Sequence, residues 1–227
     1  MKDMKIEQPR SLAEMVAVRL RSAIIDGEIG LGESIVEEKL AESFGVSRTP
    51  VRDALVLLQM QGLVTVQPKR GSFVFIPTVE DVVLLCEFRK LTEVNAMELA
   101  LQRNKAALVD RLRTIIAAMA EAREAHDAIQ YGKLDTDFHQ AFVDLSGNPF
   151  IADAYALVAG QIAALRHHLT RPIESLREIS FAEHHQFIDL VEQGDPKGFR
   201  AVMDLHVDRT SAIYVNALET AKTTQPK

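Results

Sequence analysis

The strongest constraint on the fold is a change in the spacing of apolar residues after Gly62. Before this glycine, apolar residues recur at intervals of three and four, which is the period of an amphipathic helix. After it, Leu63–Val66 and Ser72–Phe75 are short segments of β-formers on either side of Gln67–Gly71. Such segments around a short polar turn are typical of a β-hairpin. The start of the chain is therefore predicted to form helices followed by one hairpin with a basic tip.

Two helices are predicted first. Ser11 with Glu14 three residues later is the pattern of a capping box, which opens a helix. A second helix is expected over about residues 36–44. Gly45 then lies where a left-handed residue commonly ends a helix.

A third helix is expected over about residues 48–61, with Ser47 as its N-cap. Pro50 falls in its first turn, where the missing N–H costs little. The short turn at residues 44–46 fits the connection of a helix-turn-helix. Three helices followed by a basic hairpin are the layout of a winged helix-turn-helix, which is assigned to residues 11–76.

The remaining residues, 77–221, are predicted to form a second, all-helical domain, with Pro77 as the hinge. Glycine and proline punctuation at 147–149, 171–172 and 194–196 divides it. The predicted helices lie near residues 79–102, 105–127, 130–146, 149–170, 173–193 and 196–219. The fold class is therefore mainly α, with the hairpin wing as its small β element.

Composition is that of a globular protein, since 47% of the residues are hydrophobic and 26% are charged. No apolar run approaches the roughly 18 residues of a transmembrane helix. The polar first ten residues lack an apolar signal core. The single cysteine, Cys86, can form no intrachain disulfide and is interpreted as a small buried side chain. These features predict a cytoplasmic protein without a membrane partner.

The net negative charge of the chain comes entirely from the helical part. Residues 1–76 carry 10 basic and 10 acidic residues, whereas the remainder carries 16 basic and 22 acidic residues. A neutral module can still bind nucleic acid if its basic residues converge on one face.

Such a face is predicted at the start of the third helix. Val51, Leu55 and Leu58 share an inward face, and Arg48 and Arg52 lie on another. In a helix-turn-helix, the N-terminal residues of this helix contact base edges in the major groove. An arginine fork there can bind guanine O6 and N7 together or clamp a phosphate.

Further contacts to double-stranded DNA are expected beside these arginines. The hydroxyls of Ser47 and Thr49 are placed to reach phosphates. Lys69 and Arg70, before Gly71 at the wing tip, can follow the backbone or enter the minor groove. The alternative is that the arginines are ordinary solvated side chains that pair with Glu or Asp, and that the hairpin tip is an ordinary turn. The order of turn, cap, arginine pair, apolar stripe and basic hairpin favours DNA binding.

This stretch resembles the signature of the GntR family of bacterial repressors. The resemblance is carried by Leu40–Leu55 (LAESFGVSRTPVRDAL), Gln61–Val64, Arg70-Gly71 and the upstream Ile25–Gly32. It implies operator contacts by Arg48 and Arg52, with Arg70 and Gly71 in the wing. Some relatives have a further DNA-contacting arginine where this chain has VEEK, so that contact is expected to be absent or replaced by Lys39.

All seven histidines lie in the helical part. Asp135 and His139 are four residues apart and project from one helix face. His184 and His206, on two later predicted helices, could complete a metal site of three imidazoles and one carboxylate. The alternative is that these are ordinary surface or core histidines, because an Asp–His pair at this spacing is common by chance.

The other histidines have weaker patterns. His126, His167 and His168 have no partner at useful spacing and are expected at the surface. His185 competes with His184, because neighbours on a helix point about 100° apart and only one can face a given centre. Spacing alone leaves that choice open.

The helical part resembles the FCD ligand-binding domain of one large GntR subfamily. The resemblance is carried by Glu87–Glu93, Asp135–His139, Ser146–Asn148, Glu183-His184, Gly194-Asp195 and His206. It implies that the metal ligands are Asp135, His139, His184 and His206, and that Asp137 and His185 are not ligands. Zinc is favoured for such ligands, with nickel, manganese or another first-row ion as alternatives. In this subfamily the metal commonly helps to bind a small organic acid.

Two arginines are candidates for the effector carboxylate. Arg89 lies where the resemblance places a pocket arginine, but it can equally form a salt bridge to Glu93 four residues later. Arg166 is the second candidate. Asn148 is interpreted as a turn or cap residue.

The predicted function is a homodimeric transcriptional regulator, a repressor, whose affinity for operator DNA changes when a small carboxylate effector binds. A sensor in which the metal itself is the effector is one alternative. A metalloenzyme is the other, and the chain is not expected to be one, since it has no HExxH-like helix and no evident general base beside the ligands.

Overall fold

The computed structural model describes residues 11–170 and 174–224. These fall into two compact units, one ending at Ile76 and the other beginning at Pro77. The predicted break at Arg171-Pro172, like the first ten residues, lies outside the described residues.

The N-terminal unit is a winged helix-turn-helix, as predicted. Its elements are α1 (Leu12–Ile25), β1 (Ser34–Ile35), α2 (Glu37–Phe44), α3 (Arg48–Met60), β2 (Val64–Gln67) and β3 (Gly71–Val74). The strands form an antiparallel sheet in the order β1-β3-β2. The two-residue strand β1 was not predicted, because two residues show no periodicity.

Local sequence explains most of the helix ends in this unit. Ser11 and Glu14 form both bonds of the capping box. Gly45 ends α2 with a φ of 65°, the left-handed conformation expected of it. Ser47 is the N-cap of α3, as predicted, although its side chain makes no capping hydrogen bond. Its hydroxyl is exposed.

The core of the N-terminal unit lies between α1 and α3, which pack on each other. The three predicted inward residues of α3, Val51, Leu55 and Leu58, are buried. Leu20 and Ile24 of α1, the helix that packs on α3, are also buried. Because this face of α3 is buried, the opposite face of the helix is exposed to solvent.

The C-terminal unit is all helical, as predicted. Its elements are α4 (Val79–Glu124), α5 (Ala128–Leu145), α6 (Pro149–Leu165), a π-helical turn (Arg166–Thr170), α7 (Glu174–Gln193) and α8 (Pro196–Thr224). Within the described residues, no helix is long and apolar enough to cross a membrane.

The first two predicted helices of this unit are one long helix with a kink. Asn104 departs from helical geometry, with φ −141° and ψ 32°. Its side-chain amide donates to the carbonyl of Leu145 at 2.8 Å, which ties the kink to the end of α5. No glycine or proline marks the kink. Asn148 caps α6, as predicted, and Cys86 is buried, as predicted.

Candidate DNA-binding face and metal centre

The predicted DNA-reading arginines lie side by side at the start of α3. The side chains of Arg48 and Arg52 are 54% and 61% exposed. Both bind Glu37 in the first turn of α2: Nε of Arg52 donates to its carboxylate at 2.7 Å, and Nη2 of Arg48 does so at 3.3 Å. The hydrogen bond from Arg52 lowers the pKa of Glu37.

This pairing leaves the outer end of Arg52 open. Only its Nε contacts Glu37, so among the described residues its two Nη groups have no hydrogen-bond partner. Those two groups form the fork that can bind guanine or phosphate. Salt-bridge formation, the alternative for these arginines, is therefore compatible with DNA contact.

The remaining predicted DNA contacts are also exposed. Thr49 lies beside Ser47 at the start of α3. Lys69, Arg70 and Gly71 form the wing tip, where Lys69 adopts a left-handed φ of 64°. The Arg70 guanidinium lies 5.9 Å from the centre of the Phe73 ring. The seven predicted positions thus form two exposed groups, at the α3 start and the wing tip.

In the helical unit, three histidines from three helices converge. His139 lies on α5, His184 on α7 and His206 on α8. One ring nitrogen of each lies within 4.8 Å of those of the other two, and all three residues are buried. The Nε2 atoms of His139 and His184 are 3.5 Å apart.

Asp135 lies beside this three-histidine cluster. One carboxylate oxygen is 3.4 Å from Nε2 of His184 and 3.3 Å from the Ser180 hydroxyl. The other oxygen is held by Nε of Arg166. The four residues predicted as metal ligands are thus neighbours, although Asp135 lies outside the tight group of three nitrogens.

Two carboxylates orient the histidine rings. Glu93 accepts a hydrogen bond at 2.7 Å from Nδ1 of His139, and Glu183 does the same for Nδ1 of His206. A carboxylate on the far nitrogen of a metal-binding histidine fixes the tautomer and raises ligand basicity. The Nε2 atoms are then left to face the centre. Glu183 was seen in the sequence only as the neighbour of His184, and Glu93 only as a partner for Arg89.

The electrostatics favour the ligand forms of these groups. Burial alone would raise the pKa of Glu93, but the charge of Arg89 and the His139 ring lower it well below its usual value. Burial lowers the pKa of His139 to about 4, and it also lowers that of His184 far below the usual value. At neutral pH the carboxylate is charged and these imidazoles are neutral, which is the state that binds metal.

A cavity of about 60 Å³ adjoins the cluster. Its wall includes Asp135 and His206 together with the two predicted effector arginines, Arg89 and Arg166. A single water needs roughly 10–15 Å³, so the space suits a small ligand.

Arg89 forms the salt bridge to Glu93 that was one alternative for it, and it also lines the cavity. Its Nε donates to Glu93 at 2.8 Å, and the pair is almost fully buried, with side chains 2% and 0% exposed. Its Nη1 has no hydrogen-bond partner among the described residues. Arg166 donates from Nη1 to the Thr136 hydroxyl at 2.7 Å, besides holding Asp135.

One histidine prediction is wrong. His167 is buried and lines the cavity, because it belongs to the π-helical turn that packs against α8. His126 is exposed and His168 partly exposed. Asp137 and His185, interpreted as non-ligands, are exposed, and His185 contacts the Phe181 ring.

Comparison with known families agrees with this arrangement. Residues 12–74 match the bacterial regulatory proteins of the gntR family, and residues 84–209 match the FCD domain. The chain belongs to the GntR family, in the branch with an FCD domain. It is a transcriptional regulator.

Named relatives share most of the regulator's length. An HTH-type transcriptional regulator in an unstable DNA locus of Streptomyces ambofaciens is 31% identical over 85% of this chain and 80% of its own length. The HTH-type transcriptional repressor NanR of Citrobacter rodentium is 25% identical over 90% of this chain and 86% of its own.

Solved structures show the same fold. A GntR regulator from Rhodococcus sp. RHA1 has a TM-score of 0.80 at 24% identity, covering 92% of this chain and 99% of its own. McbR/YncC of E. coli has the same TM-score and coverage at 22% identity. At these identities the likeness concerns the fold alone.

Proposed function

We propose that this regulator is a repressor whose operator affinity is controlled by a small organic acid bound at a metal ion in the helical domain. The observation that carries the proposal is the buried three-histidine cluster beside a cavity whose wall includes one of its members, His206. Two of its rings are oriented by carboxylates, and arginines line the same cavity.

The residues present fit a divalent metal. Converging neutral imidazole nitrogens with an adjacent carboxylate are the ligands of zinc and other first-row ions. His139, His184 and His206 would hold the metal, with Asp135 as the fourth ligand. When bound, the metal would supply a Lewis acid that attracts a carboxylate oxygen of the effector. Zinc is the metal we favour, with nickel or manganese as alternatives.

The DNA-binding half of the proposal concerns the exposed face of the N-terminal unit. Arg48 and Arg52 would read the major groove, Ser47 and Thr49 would bind adjacent phosphates, and the wing tip would contact the backbone or minor groove. Repression is favoured because similar proteins are named repressors. A homodimer is proposed because helix-turn-helix proteins usually read two half-sites about 34–36 Å apart.

Regulation requires that the acid bind one state of the protein better than another. An acid with equal affinity for the DNA-bound and the DNA-free protein would leave operator affinity unchanged. The effector must therefore change operator affinity at saturation.

A metal sensor is the second candidate. It is favoured by the fact that the chain's own side chains form the three-nitrogen cluster without an organic acid. In that case, metal alone would change operator affinity. A hydrolytic role has less support, because Glu93 and Glu183, the carboxylates nearest the rings, are both committed to arginines.

The test is a titration of the metal-loaded protein with DNA from upstream of its own gene, at fixed salt because phosphate contacts make affinity salt-dependent. It is repeated with a panel of small organic acids and again after chelation. We expect specific binding that one acid shifts only when metal is present. A change on chelation alone would favour the metal sensor. No specific complex under any condition would overturn the proposal.

A further inference from the structure

Two buried donors in the cavity wall have no partner among the described residues. They are Nη1 of Arg89 and the hydroxyl of Tyr214. Buried polar groups are nearly always hydrogen-bonded, so such exceptions need an explanation. The guanidinium of Arg89 is fixed by Glu93 through Nε, which leaves Nη1 held in place but unused. The oxygens of a ligand carboxylate in the cavity would provide acceptors for these donors.

These donors are separate from the metal-facing atoms. On the His139 ring, Nδ1 contacts one oxygen of Glu93, whereas Nε2 faces His184. Arg89 binds the other oxygen of Glu93 at 2.8 Å. Its guanidinium therefore lies beyond the Nδ1 edge of His139. The cavity thus offers a second contact point for an acid group besides the three-histidine cluster.

The cavity wall contains four arginines. Three arginines of its wall each bind one carboxylate: Arg89 with Glu93, Arg166 with Asp135 and Arg209 with Glu183. A divalent metal on neutral imidazoles adds two positive charges to these neutral pairs. Buried charge must be compensated locally. A ligand with two negative charges offsets both charges of the metal, whereas a monocarboxylate offsets only one of them.

The wall also has an apolar part. Leu176 and Ile213 line the same cavity. A short run of methylene groups suits such a surface, and the volume of about 60 Å³ suits a small ligand.

We propose that the effector is a small aliphatic dicarboxylate, with one carboxylate at the three-histidine cluster and the second bound by Arg89 and Tyr214. This rests on the proposed function, in which an organic acid is the effector. Arg89 then holds Glu93 in place and also contacts the ligand. The Tyr214 hydroxyl helps the site to select dicarboxylates over monocarboxylates.

The first test is calorimetric titration of the zinc-loaded full chain with acids of equal carbon number, succinate against butyrate and glutarate against pentanoate. We expect a dicarboxylate to bind at least about tenfold more tightly than its monocarboxylate, as one charged hydrogen-bonded contact allows. Equal binding would overturn the dicarboxylate proposal and leave the organic-acid effector standing. Binding of none of the acids would overturn both.

The second test is the Tyr214→Phe variant, which removes only a hydroxyl that has no partner in the described structure. We expect it to weaken dicarboxylate binding about tenfold while monocarboxylate binding stays within about twofold. Tyr131→Phe is the matched control, because Tyr131 lines the same cavity but its hydroxyl already donates to the Arg177 carbonyl at 3.1 Å. An equal loss for both acids in Tyr214→Phe, or no loss for either, would overturn the second contact point.

Discussion

Both units of this regulator use arginine–carboxylate pairs, but at opposite extremes of burial. The side chains of Arg52 and Glu37 are 61% and 26% exposed, whereas those of Arg89 and Glu93 are 2% and 0% exposed. An exposed pair is worth about 0–1 kcal/mol and can be exchanged for another partner. A buried pair is costly to break, because the remaining charge is left without compensation.

The difference shows how one kind of contact serves two purposes. On the N-terminal unit, Glu37 holds Arg52 by its Nε alone, so DNA can take the exposed end or displace the carboxylate. In the helical unit, Glu93 also accepts hydrogen bonds from His139 and Tyr155, so Arg89 belongs to a fixed frame around the metal centre.

The largest effect is expected from breaking the buried pair. Glu93→Gln leaves the charge of Arg89 uncompensated and should destabilise the helical domain by about 3–5 kcal/mol. It should also weaken metal binding about 10–100-fold, since His139 loses its carboxylate. Denaturant unfolding and metal competition measure the two effects. Glu98→Gln is the control, because Glu98 lies on the same helix in an exposed pair with Arg200. Similar behaviour of the two variants would contradict the distinction between buried and exposed pairs.

The histidines predict how the metal-free helical domain responds to pH. Burial lowers the folded-state pKa of His139 from about 6.5 to about 4, so protonation favours the unfolded chain. The contribution of His139 to the free energy of unfolding is therefore fully present above 6.5, the pKa of this histidine in the unfolded chain. It is lost as the pH drops towards 4. We expect a loss on the order of 2–3 kcal/mol between pH 7.5 and 4.5, measured by denaturant unfolding with a chelator present.

The matched variants for this pH effect are His139→Asn and His126→Asn. The first removes the buried imidazole and should reduce the pH-dependent loss, whereas the second removes an exposed one and should leave it unchanged. Equal stability of the wild type at both pH values would show that the burial of His139 has no such consequence.

A smaller effect on affinity, without loss of fold, is expected on the exposed side. Arg52→Ala should weaken operator binding by about 1–3 kcal/mol and leave unfolding nearly unchanged. Arg19→Ala is the control, because Arg19 also forms an exposed pair, with Glu28, in the same unit. Electrophoretic mobility shifts at fixed salt compare the two. If both variants bind operator like the wild type, Arg52 does not read DNA.

The smallest effect concerns the exposed carboxylate itself. Glu37→Gln removes a negative charge beside the proposed DNA contacts, so it should strengthen binding to unrelated DNA by no more than about 1 kcal/mol. The difference in affinity between operator DNA and unrelated DNA should therefore become smaller. Weaker binding to unrelated DNA would mean that Glu37 assists the arginines by holding them rather than by competing for them.

Sequence reasoning reached the elements whose signals are local. The period change after Gly62 predicted the hairpin, and the spacing of Val51, Leu55 and Leu58 predicted the inward face of α3. The kink at Asn104 was missed because it depends on a bond to Leu145 in another helix.

The histidine cluster illustrates the same limit. The spacing of Asp135 and His139 placed them on one face, but only the family resemblance selected His184 over His185. The carboxylates that orient the histidine rings could not be predicted, because Glu93 and His139 are 46 positions apart in the chain. The unpartnered hydroxyl of Tyr214 had no signal at all, since its neighbours are set by packing of separate helices.

The most direct test of the account is whether the buried centre controls DNA binding. Operator affinity of the zinc-loaded wild type and of His184→Ala is measured at fixed salt, with and without a saturating acid from the dicarboxylate series. The account predicts that both proteins bind operator without acid, and that only the wild type responds when acid is added. An equal response from His184→Ala would contradict control of operator affinity through this centre.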